Sequence, residues 1–182
     1  MPTPSTKSLA AKFGRVKLFL CDVDGILTDG SIFLSGNGEM KLFNIQDGLG
    51  LRLLQREGIR VGWISNRFSY ATSRRAKELK VDFLSQDETS KVAAAEKILA
   101  NTKLDWVHVC YMGDDVVDLG LLARAGLAVS VPNAIAEAKT AADYVTKAAG
   151  GYGAVREVVE KILKQQKKWN RIVEFFKAGT NE

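Results

Sequence analysis

Lys17-Leu-Phe-Leu-Cys-Asp-Val-Asp-Gly-Ile-Leu-Thr-Asp-Gly30 is the stretch whose reading decides the fold. Leu18 to Cys21 is an unbroken apolar run, the pattern of a strand buried on both faces in a parallel sheet. The run stops at Asp22-Val23-Asp24-Gly25. A period of two puts the carboxylates of Asp22 and Asp24 on one side and Val23 on the other. Gly25 lets the chain leave the strand in a conformation that other residues resist. Paired carboxylates at the carboxyl end of such a strand sit where open α/β sheets place their ligands. A lone Asp-x-Asp is more often a strand end with two solvated aspartates, so the weight falls on what else the chain brings to that rim.

The remainder alternates strand and helix patterns. Ser31 to Phe43 holds two short alternating runs around Ser35-Gly-Asn-Gly38, a β-hairpin leaving from the aspartate end of the first strand and placed to act as a flap. Asp47 is expected to cap a helix that ends near Gly58. Strands are expected over Ile59–Ile64, Val81–Leu84, Trp106–Met112 and Leu127–Val131, with helices after Ser69, over Glu88–Ala100, Val116–Ala125 and Ala134–Ala141. Such alternation implies an α/β fold, a three-layer Rossmann-like parallel sheet with the hairpin flap added. Residues 1–14 are expected as a mobile leader, with 15–182 as one domain. A long C-terminal helix, about 154–177, carries an apolar stripe from Val155 to Phe176 that is expected to pack partly on another subunit.

Composition narrows the function classes. The 182 residues are 46% hydrophobic and 26% charged, with a formal net charge of +5, which is ordinary globular composition. The absence of a basic patch interleaved with aromatics argues against nucleic acid. No apolar run is long enough to span a bilayer, and the first residues lack the apolar core of a secretory signal. Cys21 and Cys110 both fall in expected buried strands, so free thiols in a reducing compartment are expected, and the protein is read as cytoplasmic.

The polar residues at the strand ends form an ordered set. Asp22 and Asp24 come first, then Ser65-Asn66-Arg67, then Lys91 at a helix start, then Asp114 and Asp115. All carboxyl ends of a parallel sheet point one way, so these groups can converge. Like charges about 4 Å apart repel by roughly 4 kcal/mol at an effective dielectric near 20, so clustered carboxylates call for a cation. Ligands that are oxygen only point to magnesium. A lysine and a serine hydroxyl at the same rim suit a phosphate-bearing substrate. His108, Trp63 and Trp106 are read as core or packing residues.

Asp22-Val-Asp-Gly-x-x-Thr-Asp-Gly30, Ser65, Lys91 and Gly113-Asp-Asp-x-x-Asp118 resemble, in order, the four motifs of the haloacid dehalogenase superfamily of phosphotransferases. With no large cap insert, Phe43-Asn-x-x-Asp-Gly48 and Gly150-Gly-x-Gly-Ala-Val-Arg-Glu157, the chain is similar to the 3-deoxy-D-manno-octulosonate 8-phosphate (KDO 8-phosphate) phosphatases, which are capless, magnesium-dependent homotetramers. The resemblance implies that Asp22 is the nucleophile and Asp24 the general acid and base. It implies Ser65, Asn66 and Lys91 at the phosphate, and Arg67, Thr28 and Asp47 at the sugar acid. It places magnesium on Asp22, Asp114 and the Asp24 backbone carbonyl, with Asp115 reaching the ion through water and Asp118 behind them. The chain departs from the family in Ser65-Asn66 for Thr-Gly, Gln46 for Arg, Ser90 for Asp and Tyr152 for Arg. Rival readings are a phosphatase of a nine-carbon sugar-acid phosphate, a receiver-type phosphoacceptor module and a silent oligomerisation domain.

Overall fold

A parallel sheet of six strands, in the order β5-β4-β1-β6-β7-β8, forms the middle layer of the computed structural model, which describes residues 6–36, 38–86 and 90–179. In chain order the elements are α1 (Thr6–Arg15), β1 (Leu18–Cys21), β2 (Phe33–Ser35), β3 (Gly38–Met40), α2 (Ile45–Arg56), β4 (Arg60–Ser65), α3 (Tyr70–Glu78) and β5 (Phe83–Gln86). Then follow α4 (Lys91–Thr102), β6 (Val109–Met112), α5 (Leu119–Leu122), β7 (Leu127–Ser130), α6 (Ala136–Ala141), β8 (Tyr144–Val145), α7 (Ala154–Gln165) and α8 (Trp169–Lys177). Two short 3-10 turns, Trp106–His108 and Val116–Asp118, complete the set.

β1 lies between β4 and β6, and its four residues are buried. The chain builds outward from β1 through β4 to β5, then returns to β6 on the other side and continues outward through β7 to β8. That reversal puts the topological switch at the carboxyl end of β1, where Asp22 stands. The Asp22 amide still donates to the Met112 carbonyl at 2.9 Å, so the sheet holds the residue up to the point where the loop departs.

Several expectations are corrected. The N-terminal residues expected as a leader include α1, whose Phe13 is buried in the core and whose Lys12 reaches Asp143 at 2.6 Å. Trp106–His108 is a 3-10 turn, so His108 precedes β6 rather than lying within a strand. Helix α4 starts at Lys91, capped by Ser90; Glu88 and Thr89 of the expected helix lie outside the described residues. So does Asn37 of the hairpin turn. The long C-terminal helix is two helices broken at Lys167, which takes a left-handed φ of 58°. Val155, Val158, Val159 and Ile162 of α7 are buried within this chain, packed on α2 and α1. The break folds α8 back, so Ile172 is buried too and the Arg56 guanidinium sits 3.4 Å over the Phe175 ring. The stripe expected to await another subunit is therefore largely covered from within.

Candidate active site

Asp22, Lys91, Asp114 and Asp118 meet at the carboxyl end of β1 and β6. Asp22 is 7% exposed. One of its oxygens accepts from the Val23 amide at 2.7 Å, and the other lies 2.8 Å from Lys91 Nζ. Lys91, the first residue of α4, is 4% exposed and also reaches Asp118 Oδ1 at 2.7 Å. Burial works against its charge, but Asp22 and Asp118 more than offset this and hold the ammonium above the usual lysine range. Burial, opposed by Lys91 and assisted by Asp118, raises the Asp22 carboxyl to about 6.

Asp118 is the support of the cluster. Its Oδ1 also accepts from the buried Tyr111 hydroxyl at 2.6 Å, and its Oδ2 accepts from the amides of Asp114 and Asp115 at 2.9 and 3.1 Å. Both oxygens are thus committed to protein donors. Gly113 permits this approach, because a Cβ there would lie 2.5 Å from the Asp118 Cβ. Asp118 stands behind the cluster, as expected, whereas Tyr111 was not foreseen. The aspartate is the last residue of the quoted Gly-Asp-Asp-x-x-Asp118 run, but the tyrosine offers no signal inside an apolar strand.

Carboxylate oxygens of Asp22, Asp114 and Asp118 lie within 4.8 Å of one another. Asp114 Oδ1 is buried and accepts no hydrogen bond. Burial, then the charges of Asp22 and Asp118, raise the Asp114 carboxyl to about 7. An oxygen removed from water, without a donor and facing another carboxylate, is the signature of a cation site. The donor set is oxygen only and fits magnesium. Gly25, at φ +92°, makes room for the Asp114 carboxylate: a Cβ there would lie 2.0 Å from Asp114 Oδ2. With Asp118 saturated by donors, Asp22 and Asp114 are the carboxylates left for the ion. The Asp115 carboxylate is not among these three, although its amide donates to Asp118. Asp115 is exposed, and its Oδ1 caps its own 3-10 turn by accepting from the Val116 amide at 2.6 Å.

The Asp24 carboxylate turns toward the hairpin, where Lys41 Nζ lies 2.7 Å from Oδ1 and 2.9 Å from Oδ2. Ser65, at the end of β4, is 3% exposed; its hydroxyl accepts from the Arg67 amide at 3.1 Å. Asn66 is exposed beside it. Arg67 is paired with Glu39 of the hairpin. These residues form one rim, with the hairpin along its edge.

Two of the residues expected at the sugar acid lie elsewhere. Thr28 is fully buried, and its hydroxyl accepts from the amides of Gly25 and Gly30 at 3.4 and 3.2 Å, shaping the loop after Asp24. Asp47 is 1% exposed and does not cap its own helix; Asn44 does, accepting from the Gln46 and Asp47 amides. The Asp47 carboxylate instead accepts from the amides of Gly153 and Arg156 at 3.3 and 2.7 Å, so it caps α7 from a distance. Gln46 and Tyr152 are exposed, and the Tyr152 hydroxyl lies 3.5 Å from Asp29 Oδ2.

The haloacid dehalogenase-like hydrolase family matches residues 60–159. Fold and site together thus define a haloacid dehalogenase-like hydrolase, and the receiver-type reading falls. The chain is 37% identical to the 3-deoxy-D-manno-octulosonate 8-phosphate phosphatase KdsC of Yersinia pestis over 166 residues, 91% of this chain and 89% of that protein. KdsC of Escherichia coli K12 is likewise 37% identical, over 91% of this chain and 88% of its own. A crystal structure of the phosphatase of that name from Moraxella catarrhalis, in complex with magnesium, phosphate and KDO, superposes with a TM-score of 0.91 at 40% identity, covering 94% of this chain and 99% of that one. The cobalt-bound form of the Haemophilus influenzae phosphatase gives 0.83 at 35% identity, covering 86% and 92%. The chain belongs to the KDO 8-phosphate phosphatase family of these hydrolases.

Proposed function

We propose that this protein is a magnesium-dependent phosphomonoesterase that hydrolyses KDO 8-phosphate to KDO and phosphate through an aspartyl-phosphate on Asp22. The observation that carries the reading is the buried meeting of Asp22, Lys91 and Asp114, in which one Asp114 oxygen has no donor. The close likeness to the KdsC phosphatases supports the substrate.

Asp22 attacks phosphorus in line with the leaving sugar oxygen. Lys91, fixed by Asp118, orients the Asp22 carboxylate and neutralises phosphoryl charge. Ser65 and Asn66 hold phosphoryl oxygens at the end of β4. Asp24 gives a proton to the sugar oxygen as it departs, then takes one from the water that attacks the aspartyl-phosphate. Arg67 binds the sugar-acid carboxylate in place of Glu39, a planar guanidinium suited to a two-oxygen partner. Asp22, Asp114 and the Asp24 backbone carbonyl would hold magnesium, which when bound supplies positive charge against the phosphoryl oxygens.

The assembly is read as a homotetramer in the cytoplasm. The hairpin supports the first part: Phe33, paired with Met40, shares with Met40 and Leu42 one exposed apolar face suited to other copies of the chain. Sedimentation at micromolar concentration decides this, and a lone monomer would remove it. No described helix is long and apolar enough to cross a membrane.

Phosphate release from KDO 8-phosphate tests the chemistry. Replacing magnesium with EDTA abolishes release, and Asp22→Asn lowers it by about 10³-fold or more. Hydrolysis that persists in the variant, or ignores the metal, defeats the reading.

A further inference from the structure

The second arm of the hairpin is reversed in polarity. Met40 and Leu42 are exposed, while Glu39, Lys41 and Phe43 share the inner face. Phe43 anchors that face by stacking on the buried Trp63, with ring centroids 6.2 Å apart. The Lys41 side chain has no exposed surface (0%), and its ammonium meets Asp24 and, at 3.3 Å, the hydroxyl of buried Thr72. A lysine side chain stripped of water is expensive to keep, and its half-buried partner Asp24, 24% exposed, does not make the pair strong evidence for stability. An apolar side chain of similar length would fill the same space. The ion pair therefore asks for a reason beyond packing, and the group it grips is the one that must exchange a proton with the leaving oxygen.

We propose that Lys41 is a positioning residue for the leaving-group step, aiming the Asp24 carboxyl and stabilising the charge that arrives on it. This rests on the reading of Asp24 as general acid given above. In that step an Asp22 oxygen bonds to phosphorus and the phosphorus–sugar oxygen bond breaks. The bonding pair stays on the sugar oxygen, which receives the Asp24 proton. Negative charge is left on Asp24, beside an ammonium that is already in place and need not reorganise. The hairpin thereby carries a working part of the acid, and Glu39, two residues earlier on the same face, holds Arg67.

The test uses two substrates with different needs. KDO 8-phosphate has a poor leaving group that requires a proton, whereas p-nitrophenyl phosphate releases a stable phenolate. kcat/KM covers the steps up to departure of the leaving group, so it isolates this stage. Lys41→Met is expected to lower kcat/KM for KDO 8-phosphate by about 10²-fold, within the range of general acid catalysis, with a loss on p-nitrophenyl phosphate at least about tenfold smaller. Lys41→Arg, which keeps the cation, recovers part of the sugar-phosphate rate. Turnover of p-nitrophenyl phosphate also reports that the variants are folded. Equal losses on both substrates, or a rise in KM alone, overturn the proposal. Asp24→Asn is the reference: if it does not discriminate between the substrates, the acid assignment itself fails, and that outcome is distinct from failure of the Lys41 role.

Discussion

At the scale of single residues, the site is a set of carboxylates sorted by what faces each. Asp118 has four protein donors, Asp22 has an amide and a lysine, Asp24 has a lysine from the hairpin, and one oxygen of Asp114 has none. The titration of the metal-free protein follows from this. Asp22 and Asp114 are raised from 3.8 to about 6 and about 7, chiefly by burial. Between the ordinary and the raised values, the native chain holds protons that the unfolded chain has released. Their contribution to stability is therefore fully present below about pH 4 and is lost as the pH rises through about 6 and 7. Thermal melts in EDTA should show the midpoint falling over that window. Asp114→Asn should flatten the slope and raise the midpoint at neutral pH, by about 2–4 °C for each kcal/mol recovered. Magnesium should raise the midpoint of the wild type and not of the variant. An unaltered slope in the variant would show that Asp114 is not the strained group.

At the scale of elements, the helix ends repay attention. The first turn of α7 follows Gly153 and has no side-chain cap of its own; its amides are satisfied by Asp47 from α2. This locks α2 to α7, whose buried valines and Ile162 each contribute about 1.5–3 kcal/mol of burial. Asp47→Ala should cost about 1–3 kcal/mol, because buried amides lose their acceptor, and lower the midpoint by about 2–4 °C per kcal/mol. KM for KDO 8-phosphate should stay within about twofold; a large rise in KM with no loss of stability would restore Asp47 to the substrate. The capping role was illegible in the chain, since it joins residues far apart in sequence. Asp47 sits where a local cap is plausible, yet Asn44 takes that place. The break at Lys167 escaped notice for a similar reason: the apolar stripe continues across it, and only the left-handed backbone interrupts the helix. What could be read was what depends on local pattern, namely the apolar β1 run, the Ser69 cap and the hairpin. Lys41 left a trace in the alternation Glu39, Lys41, Phe43, but that period identifies a shared face without saying that the face turns inward.

At the scale of the whole molecule, the parallel sheet turns separation along the chain into proximity. Asp22 follows β1, Lys91 opens α4, and Asp114 follows β6, yet they converge because β1 is hydrogen-bonded to β6 at the switch point. The order of these motifs was legible precursor to precursor, since parallel strands dictate which ends meet. Asp118 beneath them was legible as the end of the fourth motif, but its partner Tyr111 was not, since that contact depends on side-chain packing behind the rim. The account stands on Asp22 as the atom donor to phosphorus. The measurement that addresses this directly is acid quench of the enzyme during turnover of KDO 8-phosphate with magnesium, followed by peptide mapping and by the stereochemistry of the released phosphate. The account predicts a phosphoryl group on Asp22 and retention of configuration at phosphorus, whereas a phosphoryl group on Asp24 or Asp114, or inversion, would contradict it.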